Sequence, residues 1–271
     1  MVTNRPERSF TLIDRMEHYG VPGVGIAVIR GGEVAWARGY GVADKESGQP
    51  VDEETLFRTV SISKPVSAAG ALRLVEQGIL DLDVDVTRQL RSWQIPESEY
   101  TTDRAVTLRH LLSHTGGISD DPELSYRRDE AIPTLLQVLE GSVPARVDTV
   151  PGSIEHYSNQ GYCLVQLVMS DQTGRSFPAL MDELVLGPVG MVRSTFRQNL
   201  SEEWAKRAST GYLSTGEELP DKRLVTPALA AAGLWSTPSD LARFAVAIQR
   251  SYNGADGSLL SRDTAGLSPP G

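Results

Sequence analysis

The residue pair with the clearest chemical potential is a serine three positions before a lysine, in the segment SISK at positions 61–64. On a helix, Ser61 and Lys64 lie on one face, where the amine can reach the hydroxyl. A serine hydroxyl is a poor nucleophile without an adjacent base, and unpaired N–H groups at a helix N-terminus favour a developing negative charge. The pair predicts an activated serine, although chance alone would give roughly 0.4 such pairs in this chain.

A second group of polar residues, Tyr157-Ser158-Asn159, follows Pro151-Gly152 and precedes an apolar helical segment. A tyrosine hydroxyl at a helix entrance can relay a proton. Tyrosine and lysine both hold their protons near neutral pH in water, so a Lys64–Tyr157 pair that shares one proton is a way to obtain a base. Taken alone, Tyr157 also fits a half-buried aromatic residue and Asn159 a helix N-cap.

The elements predicted around these residues are a β-hairpin and a mainly helical middle. The segments GVGIAVIR and EVAWARGYGVAD have the pattern of two strands joined at Gly31-Gly32. From position 57 the apolar spacing becomes helical, and Gly78 is the expected C-cap of the first of these helices. Further helices are predicted in VTLRHLLSHTGG, AIPTLLQVLEG, QGYCLVQLVMSDQTG with Gly174 as its cap, and SFPALMDELVLGPVGM. A last helix begins after Thr237, where Thr237 caps it and Asp240 reaches back.

Composition favours a globular protein and argues against several other classes. The chain has 271 residues, of which 40% are hydrophobic and 23% charged, with a formal net charge of −9. No apolar run approaches the roughly 18 residues of a membrane span, and the acidic balance argues against a nucleic-acid partner. The polar N-terminus does not resemble a secretory signal, so we expect a cytoplasmic protein. The single cysteine, Cys163, is expected to be a small buried hydrophobe.

Four blocks in the same order resemble one known family: FRTVSISKPVSAAGALRLVEQGILDLD, VTLRHLLSHTGGI, PGSIEHYSNQGYCLVQLV and AAGLWSTPSDLARF. They are similar to the group of class C β-lactamases, D-alanyl-D-alanine carboxypeptidases and family VIII esterases. The resemblance implies an α+β fold of the β-lactamase/transpeptidase type, with an antiparallel sheet lobe and a helical lobe. It also implies an acyl-enzyme on Ser61, with Lys64 as base partner. Tyr157 would relay a proton to the leaving group, and Asn159 would hydrogen-bond the substrate.

The resemblance predicts one domain over residues 1–271. Residues 1–56 would form an N-terminal helix and the hairpin, residues 57–250 a mainly helical lobe, and residues 251–271 an irregular tail in place of the family's C-terminal strands and helix. The family's third motif, Lys-Thr-Gly or His-x-Gly, cannot follow the AAGLWSTPSD block, because the last lysine is Lys222 and the last histidine is His156. The oxyanion hole would therefore have the Ser61 backbone N–H and lack its second donor.

Two consequences are expected from the missing motif. Loss of one oxyanion donor lowers a rate on the order of 10²–10³-fold, so the activity would be impaired. The open edge of a two-stranded hairpin invites pairing with other chains, so self-association is expected. A truncated or frameshifted product, or strands donated by a partner, would account for the pattern. The alternative from another class is a catalytically silent protein that keeps the fold as a binding module.

A metal site is a further rival interpretation. His110 and His114 are four positions apart on a predicted helix and could face one ion. No glutamate of an H-E-x-x-H pattern lies between them and no third ligand is indicated, so no metal and no cofactor are expected. The expected partner is a small-molecule ester, amide or lactam, since fold and nucleophile do not choose among esters, D-amino-acid peptides and β-lactams. Lack of a signal sequence favours esters or small amides.

Overall fold

The structure, a computed structural model, describes residues 9–102, 104–121 and 124–267. Its helices are α1 (Leu12–Tyr19), α2 (Ser63–Glu76), α3 (Leu108–Leu112), α4 (Leu135–Leu139), α5 (Asn159–Thr173), α6 (Phe177–Met181), α7 (Gly187–Val189), α8 (Glu202–Arg207), α9 (Leu229–Ala232), α10 (Pro238–Tyr252) and α11 (Arg262–Ala265). Its strands are β1 (Gly23–Arg30), β2 (Glu33–Gly41), β3 (Phe57–Arg58), β4 (Tyr126–Arg127), β5 (Leu224–Val225) and β6 (Trp235–Ser236). None of the described helices is both long enough and apolar enough to span a bilayer.

The predicted hairpin is confirmed as the antiparallel pair β1–β2. Its turn residues Gly31 and Gly32 both have positive φ, which suits the twist of a two-residue hairpin loop. The hairpin packs on α10, and Gly25 allows the close approach, because a Cβ there would come within 2.5 Å of the Pro238 side chain. Within the described residues, no third strand pairs with this hairpin.

The core is built around α5, which is buried on every side from position 160 to position 169. Helices α2, α6 and α9 pack against it. Cys163 lies fully buried in this helix, and burial raises the pKa of its thiol to about 12, so it is confirmed as a packing residue. The predicted cap Gly174 is confirmed, with a left-handed φ of 67°.

Two shorter strand pairs join distant parts of the chain. Strand β3 pairs antiparallel with β6, and β4 pairs antiparallel with β5. The β3–β6 pair places the segment before Ser61 beside the segment before α10. This pairing makes the AAGLWSTPSD block a neighbour of the SISK block.

Several helix boundaries follow the sequence and others do not. Thr237 caps α10 as predicted, but the prediction that Asp240 reaches back is wrong. The Asp240 carboxylate is fully buried and accepts from the Arg193 N–H and the Ser194 hydroxyl while pairing with Arg243. A buried charge needs such partners, and the cap position offers only one.

The N-terminal end of α2 also differs from the prediction. Helix α2 begins at Ser63, and Ser61 lies in a separate 3₁₀ turn, Val60–Ile62, that leads into it. At the other end, Gly78 has a φ of 69° and donates its N–H to the Val75 carbonyl, which confirms its role as a stop signal. The predicted irregular tail contains the short helix α11, and its residues 268–271 lie outside the described residues.

Candidate active site

The structure brings the three predicted catalytic side chains together at Ser61. The Ser61 Oγ lies 2.7 Å from the Tyr157 Oη and 3.3 Å from the Lys64 Nζ. Ser61 is exposed and Tyr157 is 47% exposed, so a carbonyl group can approach the hydroxyl from solvent. The spacing of S-x-x-K thus produces the predicted contact even though Ser61 precedes the α-helix.

Lys64 is buried, with 4% of its surface exposed, and its ammonium has three oxygen partners. Its Nζ donates to the Asn159 Oδ1 at 2.7 Å, to the Ala231 carbonyl at 3.0 Å and to Ser61 at 3.3 Å. An ammonium group has three protons, so these partners satisfy all of them. None of the three oxygens belongs to a carboxylate. The positive charge is therefore held by dipoles in a buried place.

The backbone immediately before the nucleophile is strained. Val60 has a φ of 47°, a left-handed conformation that a β-branched residue rarely adopts. Ser63 donates its hydroxyl to the Val60 carbonyl and accepts the Leu234 N–H. Thr59 donates both its N–H and its hydroxyl to the Leu234 carbonyl. The AAGLW segment therefore holds the turn that presents Ser61.

Asn159 is the first residue of α5, and the cap of that helix is Ser158, whose hydroxyl accepts the Gly161 N–H. The Asn159 N–H donates to the Asp120 Oδ1 at 2.7 Å, and its Nδ2 lies 3.5 Å from the Asp120 Oδ2. Asp120 therefore orients the Asn159 amide so that its oxygen faces Lys64. A contact of Asn159 with substrate stays a prediction.

His114 contacts the other side of the tyrosine. Its ring stacks on the Tyr157 ring at 4.5 Å between centroids, and its Nδ1 accepts the Ser158 N–H at 3.1 Å. Burial lowers the pKa of this imidazole, and the nearby Lys64 charge lowers it further. The ring is thereby favoured in its neutral form.

The prediction that His110 and His114 share a helix face is wrong. Helix α3 ends at Leu112, and His114 has a left-handed φ of 59°, which turns the chain away from the helix axis. The His110 Nδ1 accepts the Thr107 N–H in a capping box at the start of α3. Each imidazole therefore has a backbone donor of its own, and the spacing reflects two separate local structures.

Three contributors to this site were not assigned by sequence reasoning: His114 as a contact of Tyr157, Asp120, and the Ala231 carbonyl. His114 and Asp120 lie in and directly after the block VTLRHLLSHTGGI, so the block resemblance was an available signal for them. A backbone carbonyl has no side-chain signature in a sequence. As a whole, the site offers a solvent-open hydroxyl, a hydrogen-bonded phenol and a buried cation, which suits acyl transfer.

Comparisons with known proteins agree with this geometry. A family model described as Beta-lactamase matches residues 11–269. The esterase EstB of Burkholderia gladioli is 35% identical over 175 residues, 60% of this chain and 44% of that protein. The octameric penicillin-binding protein homologue from Pyrococcus abyssi has a TM-score of 0.72 at 28% identity, over 93% of this chain and 57% of that one. The hydrolase EstCE1, with promiscuous acyltransferase activity, has a TM-score of 0.73 at 25% identity, over 93% and 73%. This chain thus spans less than half the length of EstB.

Proposed function

Because the chain belongs to the beta-lactamase family, we propose that it is a serine hydrolase that forms an acyl-enzyme on Ser61 with carboxylic esters or small amides. The observation that carries the proposal is the convergence on one exposed hydroxyl: the Tyr157 Oη at 2.7 Å and the Lys64 Nζ at 3.3 Å. An adjacent base and an open approach are what a serine nucleophile requires.

In the proposed acylation, the Ser61 Oγ forms a bond to the substrate carbonyl carbon and passes its proton to the Tyr157 oxygen. The carbonyl oxygen becomes an oxyanion. Tyr157 then gives the proton to the leaving oxygen or nitrogen, the bond to that atom breaks, and the acyl group stays on Ser61. Water reverses the sequence in deacylation, with Tyr157 again taking the proton.

Lys64 acts in this proposal chiefly by its charge. Its three protons are already donated to oxygen acceptors, so the ammonium stabilises negative charge on the Tyr157 and Ser61 oxygens without giving up a proton. The resemblance implied Lys64 as base partner. The shorter Ser61–Tyr157 contact supports Tyr157 as the direct proton acceptor and Lys64 as the group that makes it one.

The proposed rate is low for residues 1–271 taken alone. The Ser61 N–H is the one oxyanion donor that the sequence offers, since neither form of the third motif follows the AAGLWSTPSD block. A missing donor costs on the order of 10²–10³-fold. The names of EstB and EstCE1 support esters as the substrate class. Self-association through the open hairpin edge and a cytoplasmic location stay predictions.

Covalent labelling tests the proposal even where turnover is slow. A fluorophosphonate probe should modify the wild-type protein at one peptide, which mass spectrometry should identify as the one containing Ser61. Labelling should disappear in Ser61→Ala and persist in Ser153→Ala, which alters an exposed serine. Initial rates on p-nitrophenyl acetate, nitrocefin and a D-Ala-D-Ala peptide would then rank the substrate classes.

Two results would contradict the proposal. The first is labelling that survives in Ser61→Ala, because the reactive group would then lie elsewhere. The second is no labelling of the wild-type protein at high probe concentration, which would favour the silent binding module.

A further inference from the structure

We propose that His114 is a positioning residue for the Tyr157 hydroxyl and that it acts as a neutral imidazole acceptor. The inference rests on the proposed function, since it assigns a partner to the proton-accepting phenol of that site. It is carried by contacts that join His114 to three consecutive residues, 156 to 158.

The three contacts involve different parts of His114. Its carbonyl oxygen accepts the His156 N–H at 2.7 Å, and its Nδ1 accepts the Ser158 N–H at 3.1 Å. Its ring stacks on the ring of Tyr157 with 29° between the planes. The residue that bears the phenol is therefore held from both neighbouring amides and from its own ring face. A shift of the ring would move the Tyr157 Oη away from Ser61, to which the 2.7 Å contact is made.

The backbone of His114 indicates that the side chain itself is needed. Its φ of 59° is left-handed, a conformation that glycine adopts without strain. The next residues but one, Gly116 and Gly117, show that this loop does contain glycine. A histidine at a position favourable to glycine costs strain, and the two ring contacts offset that cost.

The acceptor role requires a particular protonation state. When the Nδ1 accepts a backbone N–H, the proton of a neutral imidazole lies on the Nε2. Protonation of the Nδ1 would break the Ser158 bond and place a second cation beside Lys64. The titratable groups that face the ring are Lys64, Asp120, Glu155, Tyr157 and Tyr162.

The sign of the pH effect follows from these neighbours. Burial and the Lys64 charge lower the pKa of His114, and the carboxylates of Glu155 and Asp120 oppose them to a smaller extent. The imidazole is neutral at pH 7 and gains its proton as the pH falls through a value below 6.5. Acylation of Ser61 should therefore be lost on the acid side through displacement of Tyr157.

The experiment measures the rate of fluorophosphonate labelling from about pH 5 to about pH 9 for three proteins. In His114→Asn, the amide oxygen can replace the Nδ1 as acceptor, and asparagine tolerates a left-handed backbone, but the residue neither titrates nor stacks. His110→Asn is the matched control, because the His110 Nδ1 accepts the Thr107 N–H at the start of α3.

The wild-type rate and the His110→Asn rate should fall about tenfold for each pH unit below the inflection. In His114→Asn, the rate at pH 8 should be about 2- to 12-fold lower because the stacking is lost, and the acid fall assigned to His114 should be absent. If Ser61 is labelled and His114→Asn keeps the wild-type pH profile at the wild-type rate, the positioning role is overturned.

A second readout does not depend on reactivity. In ¹⁵N–¹H NMR spectra, the Ser158 amide should shift with the His114 titration in the wild-type protein and in Ser61→Ala, and this titration should vanish in His114→Asn. A Ser158 amide that does not titrate would overturn the inference. Absence of Ser61 labelling together with a titrating Ser158 amide would instead refute the proposed function and leave the His114 contact established.

Discussion

Two lysines of this chain have three oxygen partners each and use their positive charge in opposite ways. Lys64 is buried and donates to a hydroxyl, an amide oxygen and a backbone carbonyl. Lys222 is partly exposed, and its Nζ lies within salt-bridge distance of three carboxylates. These carboxylates belong to Asp44 at 2.6 Å, Glu46 at 3.4 Å and Glu218 at 3.9 Å.

The difference shows how a fold separates a structural cation from a reactive one. The Asp44 carboxylate raises the pKa of Lys222, and Lys222 in turn holds the pKa of Asp44 far below its usual range. Such a pair cancels its own field. Among the described residues Lys64 forms no salt bridge, and Asp120 reaches it only through the Asn159 amide. Its field is therefore left to act on the Ser61 and Tyr157 oxygens.

The largest expected effect contrasts the two lysines directly. Lys64→Met should lower the Ser61 labelling rate on the order of 10³-fold or more, because the charge that stabilises the developing anion is removed. Its stability to urea should be unchanged or higher, since a buried cation without a counter-charge is costly to fold. Lys222→Met should show the reverse, with the wild-type labelling rate and lower stability. Equal effects of both substitutions on labelling would invalidate the comparison.

Asp44→Asn should have the next largest effect, and on stability alone. Asp44 is buried and accepts from the Ser47 N–H, the Thr210 hydroxyl and Lys222, so loss of its charge should cost about 2 kcal/mol of unfolding free energy. Urea unfolding measures the loss, with Asp256→Asn, at an exposed position, as the control.

The pH dependence of this loss has a definite sign. The folded-state pKa of Asp44 is depressed, so its contribution is present above the unfolded value of about 3.9 and is lost as the pH falls below it. The gap between the wild-type protein and Asp44→Asn should therefore narrow in acid. A gap that widens there would show that another group is responsible.

The smallest expected effect sharpens the assignment of Asp120. Asp120→Asn keeps the side-chain size but weakens the hold on the Asn159 amide, so Asn159 is freer to turn its oxygen away from Lys64. The labelling rate should fall about tenfold, equivalent to about 1.4 kcal/mol, with little change in melting temperature. A wild-type labelling rate would show that Lys64 does not need an oriented amide.

Local signals in the sequence predicted much of the framework. The glycine turn of the hairpin, the Thr237 cap and the stop signals at Gly78 and Gly174 all depend on a few adjacent residues, and the structure confirms them. The resemblance predicted the α+β fold of the β-lactamase/transpeptidase type, which the structural neighbours confirm. Helix length was less predictable, because α3 is ended by the left-handed backbone of His114 in a segment without a local breaker at that point.

The sequence alone determined the chemical groups: a serine three positions before a lysine, and a Tyr-x-Asn segment at a helix entrance. Only the tertiary structure decided how they meet, since Ser61 and Tyr157 are 96 positions apart and Lys64 and the Ala231 carbonyl are 167 positions apart. Spacing along a helix is a local geometric consequence of backbone hydrogen bonds. Whether a buried amine faces a carbonyl or a carboxylate depends on which distant segments pack around it. That packing gives Lys64 and Lys222 their different environments.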